Sequence, residues 1–203
     1  GYFFKPIMSV AEFADSALND ARAWCRGKNW FVRLPLLFWF FYLLLRHLSN
    51  PGYGSVLSFL NLGIHELGHP VFSILGNFLG MAGGTIAQLA VPVAGIFNFY
   101  RQRDYFAIAA CFGWLSTSFF DVARYASDAR AMELPLVNPF GAEIVIHDWN
   151  YMLGKLGLLN FDTAIGFFFK GLAVLSMSAC LGFGGWLLWR MFSASRAPEQ
   201  ETL

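Results

Sequence analysis

The chain has 203 residues, of which 57% are hydrophobic, 18% aromatic and only 13% charged. This much apolar side chain with so little charge is typical of an integral membrane protein and excludes an ordinary soluble domain. The formal net charge of +1, without a basic run between aromatic residues, argues against nucleic acid as a partner. The three cysteines lie far apart in sequence, so they predict neither a disulfide framework nor a thiolate metal site.

The N-terminal residues 1–30 predict an amphipathic surface helix. Apolar side chains recur at helical spacing over residues 9–25, and Ser9 with Glu12 forms a capping box at the start. The opposite face carries Asp15, Asp20 and Arg22, so this helix is too polar to cross a bilayer. We expect it to lie flat on the membrane surface, with docking against a partner protein as the alternative.

Residues 31–189 predict an all-α, polytopic membrane helix bundle with about five spans. These spans cover residues 31–48, 55–79, 86–100, 105–125 and 164–189, and Pro92 and Gly95 interrupt the third. The glycine-rich stretch 76–85 predicts either a flexible hairpin or an exposed strand edge that pairs with a substrate. The polar segment 127–163 predicts an ordered cap at the membrane surface, and 190–203 a polar tail.

An H-E-x-x-H motif, His65-Glu66-Leu67-Gly68-His69, lies inside the second predicted span. On a helix, His65 and His69 share one face and can bind one metal ion, while Glu66 can take a proton from a metal-bound water. Ionisable groups at membrane depth are costly, which favours a functional role. The pattern predicts a Zn²⁺ site with Glu66 as the catalytic base. The alternatives are histidines paired with neighbouring side chains, or ligation of a haem.

A catalytic zinc ion usually has three protein ligands and one water, so a third ligand is needed. Counting from the starts of the second and fourth spans places Asp121 near the depth of the two histidines, and Asp121 is the expected ligand. Asp128 lies two turns further on the same face and is an alternative. In the polar segment, His147 or Asp148 could fold back toward the metal. An ion pair between either span aspartate and a nearby arginine is the competing role.

The motif resembles the H-E-x-G-H form found in the site-2 protease family of intramembrane zinc metalloproteases. Gly76 and the glycines from 80 to 84 resemble the stretch that comes after the motif in that family. The resemblance covers the second to fourth spans. It implies that His65 and His69 bind zinc, that Glu66 is the general base, and that an aspartate from a later span completes the site. The family's N-x-x-P-x-x-P-L-D-G signature is absent, and the stretch from Asp121 to Asp128 stands in its place.

These observations lead to two expected functions. The first is an intramembrane zinc metalloprotease that hydrolyses peptide bonds of membrane proteins. The alternative is a non-catalytic, structural subunit of a larger membrane complex that retains a protease-like core. We expect a multi-pass protein in the lipid bilayer of a bacterial inner membrane, and the distribution of Lys and Arg predicts a cytoplasmic N-terminus. Its partners would be a membrane-protein substrate or the other subunits of a complex.

Overall fold

A computed structural model describes residues 9–136 and 146–196 of the chain, and these residues are mostly helical without any β-strand. This confirms the all-α prediction. The helices are α1 (Val10–Trp24), α2 (Leu34–Ser49), α3 (Val56–Ser73), α4 (Asn77–Gln102), α5 (Tyr105–Ser127), α6 (Asp148–Leu156) and α7 (Asp162–Ser195), and a short 3₁₀ turn, Leu159–Phe161, precedes α7.

Helix α1 begins at the capping box that the sequence predicts. The Ser9 hydroxyl accepts the Glu12 backbone N–H at 3.2 Å, and the Glu12 carboxylate accepts the Ser9 backbone N–H at 2.8 Å. At the other end of this helix, Ala21 and Cys25 are buried in an apolar cluster that includes Leu187 of α7. Helix α1 therefore docks on the bundle through its C-terminal part.

Three helical segments are long and apolar enough to cross a membrane: α4, α5 and the segment Leu159–Ser195 that contains α7. Helix α2 is apolar but has only 16 residues. That corresponds to a length of about 24 Å, less than the roughly 30 Å hydrocarbon core of a bilayer. Helix α3 is not among the three segments. The structure is therefore consistent with a membrane protein, and the count of five spans stays a prediction.

The sequence predicted a flexible hairpin or a strand edge for the glycine-rich stretch 76–85. The structure shows neither, because this stretch forms the start of α4. The chain reverses at Gly76, whose positive φ of 101° favours glycine, and α4 then continues through Pro92 without a break. The next glycines let α3 and α4 approach closely, since a Cβ atom on Gly83 would lie 2.7 Å from the Gly68 carbonyl oxygen. Their role is close packing rather than flexibility.

Helix α5 lies at the centre of the bundle. It runs antiparallel to α7, and buried hydroxyls join the two helices: Ser116 donates to the Ala173 carbonyl at 2.7 Å and Ser176 to the Phe112 carbonyl at 2.8 Å. Helix α4 is antiparallel to both α3 and α5. Consequently α3 and α5 end at the same end of the bundle, where α4 and α7 begin.

The described residues of the polar segment 127–163 lie at this same end and include α6 as well as the 3₁₀ turn. Residues 137–145 are outside the described part of the chain. The Arg130 Nε donates to the buried carboxylate of Asp162 at 2.8 Å, which ties the beginning of the segment to the first residue of α7. Helix α7 continues to Ser195, so residues 190–195, which the sequence assigned to a polar tail, are helical.

Candidate metal centre

The two histidines of the motif lie in the C-terminal half of α3, near one end of the bundle. His65 and His69 are one turn apart, with their ring centroids separated by 4.9 Å. Helix α3 can bring both rings against α4 because Gly84 has no side chain there: a Cβ atom on it would lie 2.5 Å from His65 Nε2. The close helix pair thus confines His65 to a narrow range of positions.

Hydrogen bonding determines which ring nitrogen of His65 carries the proton. Its Nδ1 lies 3.1 Å from Gln88 Oε1, and Gln88 Nε2 donates to the backbone carbonyl of Ser118 at 3.3 Å. Because a carbonyl can only accept, the amide nitrogen of Gln88 faces Ser118 and the amide oxygen faces His65. His65 therefore carries a proton on Nδ1, and when the ring is neutral its Nε2 has a lone pair.

The tautomer of His69 is determined in the same way. Its Nδ1 lies 2.9 Å from the backbone carbonyl oxygen of Gly80, in the first turn of α4. A carbonyl oxygen has no proton to give, so Nδ1 of His69 is the donor. In both histidines the nitrogen that remains for a ligand is Nε2, and a partner on Nδ1 is the usual support of a metal-binding imidazole.

Both Nε2 atoms face one oxygen of Asp148. The Asp148 Oδ2 atom lies 2.9 Å from Nε2 of His65 and 3.4 Å from Nε2 of His69, and Asp148 is only 5% exposed. Two lone pairs and a carboxylate oxygen repel one another unless a cation lies among them. This cation is either a proton, which would make one ring an imidazolium, or a metal ion.

The spacing of these atoms suits a metal. A tetrahedral ion with bonds of about 2.0–2.1 Å separates its ligand atoms by about 3.3 Å. The 3.4 Å between Asp148 Oδ2 and His69 Nε2 matches this separation, and the 2.9 Å to His65 Nε2 is shorter, so metal binding would lengthen it. Among the described residues, ligand atoms of His65, Glu66 and His69 also lie within 4.8 Å of one another. The His65–Glu66–His69 group could hold a metal ion, and the carboxylate of Asp148 contacts both histidines of that group.

Asp148 itself lies outside the three candidate spans, at the first residue of α6. Burial would raise the pKa of its carboxyl, but hydrogen bonding to His65 and His69 outweighs burial and holds that pKa below its usual value. The backbone N–H of Asp148 donates to the Tyr125 hydroxyl of α5 at 3.2 Å. The main chain of Asp148 is therefore anchored to the bundle.

His147, which the sequence offers as an alternative ligand, caps α6. Its Nδ1 accepts the backbone N–H of Asn150 at 3.2 Å, so its Nε2 carries the proton and donates to Asp128 Oδ2 at 3.3 Å. Asp128, the other alternative, also accepts the backbone N–H groups of Glu133 and Leu134. These two residues are thus paired with each other and place Asp148, the next residue, against the imidazoles.

Asp121, the expected third ligand, contacts α3 further from the metal motif. Its carboxylate accepts the Ser58 hydroxyl at 2.9 Å and the Asn61 amide at 2.7 Å, two turns and one turn before His65. The carboxylate beside the imidazoles is that of Asp148, so the polar segment does fold back toward the motif. The sequence feature that pointed to Asp148 was its position directly after a capping residue, at the start of a short amphipathic helix.

Comparisons of the chain with models of known protein families, with curated proteins and with solved structures found no match.

Proposed function

We propose that the protein is an intramembrane zinc metalloprotease, with His65, His69 and Asp148 as metal ligands and Glu66 as general base. The observation that carries the proposal is the convergence of the two Nε2 atoms on the same carboxylate oxygen, at 2.9 and 3.4 Å. Zinc is the metal that best suits two imidazoles and one carboxylate in a catalytic site. The resemblance of the motif to site-2 proteases supports peptide hydrolysis as the reaction.

A zinc ion at this position would supply Lewis acidity, which lowers the pKa of a water molecule and polarises a carbonyl group. Glu66 follows the first histidine ligand directly, and one of its carboxylate oxygens lies within 4.8 Å of a ring nitrogen of each histidine. From there Glu66 takes the proton of the attacking water and returns it to the amine of the leaving peptide. The fixed tautomers of His65 and His69 keep both Nε2 lone pairs available throughout.

The place of the site in the bundle supports hydrolysis, because peptide cleavage consumes water. His69 is four residues from the end of α3, and its partner Gly80 is in the first turn of α4. The third ligand comes from α6, in the polar segment outside the candidate spans. Water can therefore reach Glu66 from the end of the bundle that α6 occupies, without crossing the apolar part.

The proposal is tested with purified protein in detergent or lipid, by metal analysis and by cleavage of a membrane-embedded peptide. We expect one zinc ion per chain in the wild type. Glu66→Gln keeps the metal but lowers cleavage by about a hundredfold or more, as expected when a general base is lost. His65→Ala loses both metal and cleavage. The matched control is Glu12→Gln, which changes an exposed glutamate of α1 and should leave both unchanged.

Two results would refute the proposal. One is a wild-type protein that contains no zinc and takes none up. The other is a Glu66→Gln variant that cleaves as fast as the wild type. A protein that binds zinc stoichiometrically, cleaves no membrane peptide and co-purifies with other subunits in fixed ratio would instead be a structural subunit with a metal-stabilised core.

A further inference from the structure

A network of buried polar side chains connects Asp121 of α5 with His65 of α3. Its intermediate members are Asn61, Ser118 and Gln88, which are 1%, 0% and 4% exposed. Polar groups buried among apolar helices cost free energy unless they are paired, and a paired network holds its members in one arrangement. Because the network involves α3, α4 and α5, it can set the position of one helix relative to the others.

The direction of the hydrogen bonds at Asn61 is determined by Trp114. The indole N–H of Trp114 donates to Asn61 Oδ1 at 2.8 Å, and an indole nitrogen can only donate. The amide oxygen of Asn61 therefore faces Trp114, and its Nδ2 faces Asp121, to which it donates at 2.7 Å. Asp121 thus supplies the shorter of the two bonds made by this buried amide nitrogen, which also donates to Thr117 Oγ1 at 3.5 Å.

Ser118 joins this part of the network to the metal site. Its hydroxyl donates to Asn61 Oδ1 at 3.1 Å, while its backbone carbonyl accepts Gln88 Nε2 at 3.3 Å. The second bond turns Gln88 Oε1 toward His65 Nδ1, 3.1 Å away. Hydrogen bonds therefore run from Asp121 through Asn61, Ser118 and Gln88 to the ring of His65.

We infer that Asp121 and Gln88 are positioning residues for the metal site: Gln88 holds His65 with its Nε2 lone pair toward the metal, and Asp121 holds the network to which Gln88 belongs. This inference rests on the proposed metal site. Asp121 does not act as a ligand, since both of its oxygens accept hydrogen bonds from α3. Moving its carboxylate to a metal would leave the buried Asn61 amide with only the longer, 3.5 Å bond to Thr117 Oγ1.

The experiment measures the affinity of purified variants for zinc by chelator competition, together with the visible spectrum of the cobalt(II)-loaded protein. Loss of a partner behind a metal ligand typically weakens metal binding by about 10–100-fold. We expect that loss in Gln88→Leu and in Asp121→Leu, with one ion still bound and an unchanged cobalt spectrum. Asp148→Leu removes a ligand, so it abolishes binding or changes the spectrum.

Two variants serve as controls for polarity and packing. Asp121→Asn can still accept from Asn61 through its oxygen, so its affinity should stay within about threefold of the wild type. Gln102→Leu makes the same substitution as Gln88→Leu at an exposed position at the end of α4, and it should leave the affinity unchanged. If a leucine variant fails to fold, Ser118→Ala removes only one hydroxyl and should still weaken binding several-fold.

The inference is wrong if Gln88→Leu and Asp121→Leu bind zinc within twofold of the wild type. It is also wrong if Asp121→Leu loses the metal while Asp148→Leu keeps it, since Asp121 would then be the ligand. Peptide cleavage is not part of the measurement. A wild type that binds zinc but cleaves nothing therefore refutes the proposed function, while the affinities of the variants still decide this inference.

Discussion

Gly84 of α4 lies directly against the imidazole of His65, because a Cβ atom at Gly84 would be only 2.5 Å from His65 Nε2 and 2.6 Å from its Cδ2. Gly84→Ala must therefore displace the ring from its position beside Asp148. We predict that this single methyl group weakens zinc binding by at least about tenfold, because displacing a ligand should cost at least as much as removing the partner that orients it. Chelator competition measures the change.

The control for this prediction is Gly63→Ala in α3, where an added Cβ atom would have nothing within 4 Å. Alanine is the better helix former by up to about 1 kcal/mol, so this variant should be at least as stable as the wild type and bind zinc normally. Equal zinc affinities for the two alanine variants would show that the contact with Gly84 does not hold His65.

The capping residue His147 gives a second prediction. His147→Ala removes the acceptor for the Asn150 backbone N–H and the donor to Asp128, so α6 should lose about 1 kcal/mol of stability at its start. Because Asp148 is the next residue, zinc affinity should fall, but by no more than about tenfold, with one ion still bound. His147→Asn, which keeps a capping oxygen, should recover most of the affinity. Complete loss of metal in both variants would instead make His147 a ligand.

Local spacing was enough to predict the part of the site that lies on one helix. The four-residue interval between His65 and His69 places both rings on one face of α3 whatever surrounds it, and the Ser9–Glu12 capping box depends only on nearby residues. The boundaries of α5 were also close to those expected, since its apolar run is bounded by charged residues. Interactions within one or two turns are therefore read well from sequence.

The carboxylate that completes the proposed metal site, as its third ligand, could not be identified from local spacing. Asp121 was expected to be the third ligand because its depth along a straight helix matched that of the two histidines. Its carboxylate instead contacts α3 one to two turns before His65, and this small difference in depth decides whether it can reach the metal. Asp148 is beside His65 only because the polar segment folds back, and that return depends on contacts of Tyr125 and Asp128 made after the helices have packed. The glycines of α4 misled for a related reason, since their low helix propensity was outweighed by close packing on α3.

A third prediction concerns how the polar segment is attached. Arg130 donates at 2.8 Å to Asp162, whose side chain is only 2% exposed, so Arg130→Gln leaves a buried carboxylate with one partner fewer. We expect the unfolding temperature to fall by a few degrees in a thermal melt. The comparison is Arg103→Gln, which breaks an exposed ion pair with Asp20 at 3.7 Å and should shift the melt by less than about one degree. Equal shifts would mean that the bond to Asp162 does not anchor the segment.

The last prediction uses zinc as a stabilising ligand. The proposed metal site joins α3 to α6 and would exist only in the folded protein, so zinc at a hundred times its dissociation constant should stabilise the fold by about 2.7 kcal/mol. A chelator should reverse that gain, and His65→Ala should not show it.

His47→Ala is the matched control, because His47 is equally buried but stacks on Phe120 with ring centroids 4.6 Å apart. This variant should be less stable without zinc yet gain the same amount from it. A zinc-dependent gain that persists in His65→Ala would place the stabilising ion elsewhere, because the site on α3 cannot bind zinc tightly without that imidazole.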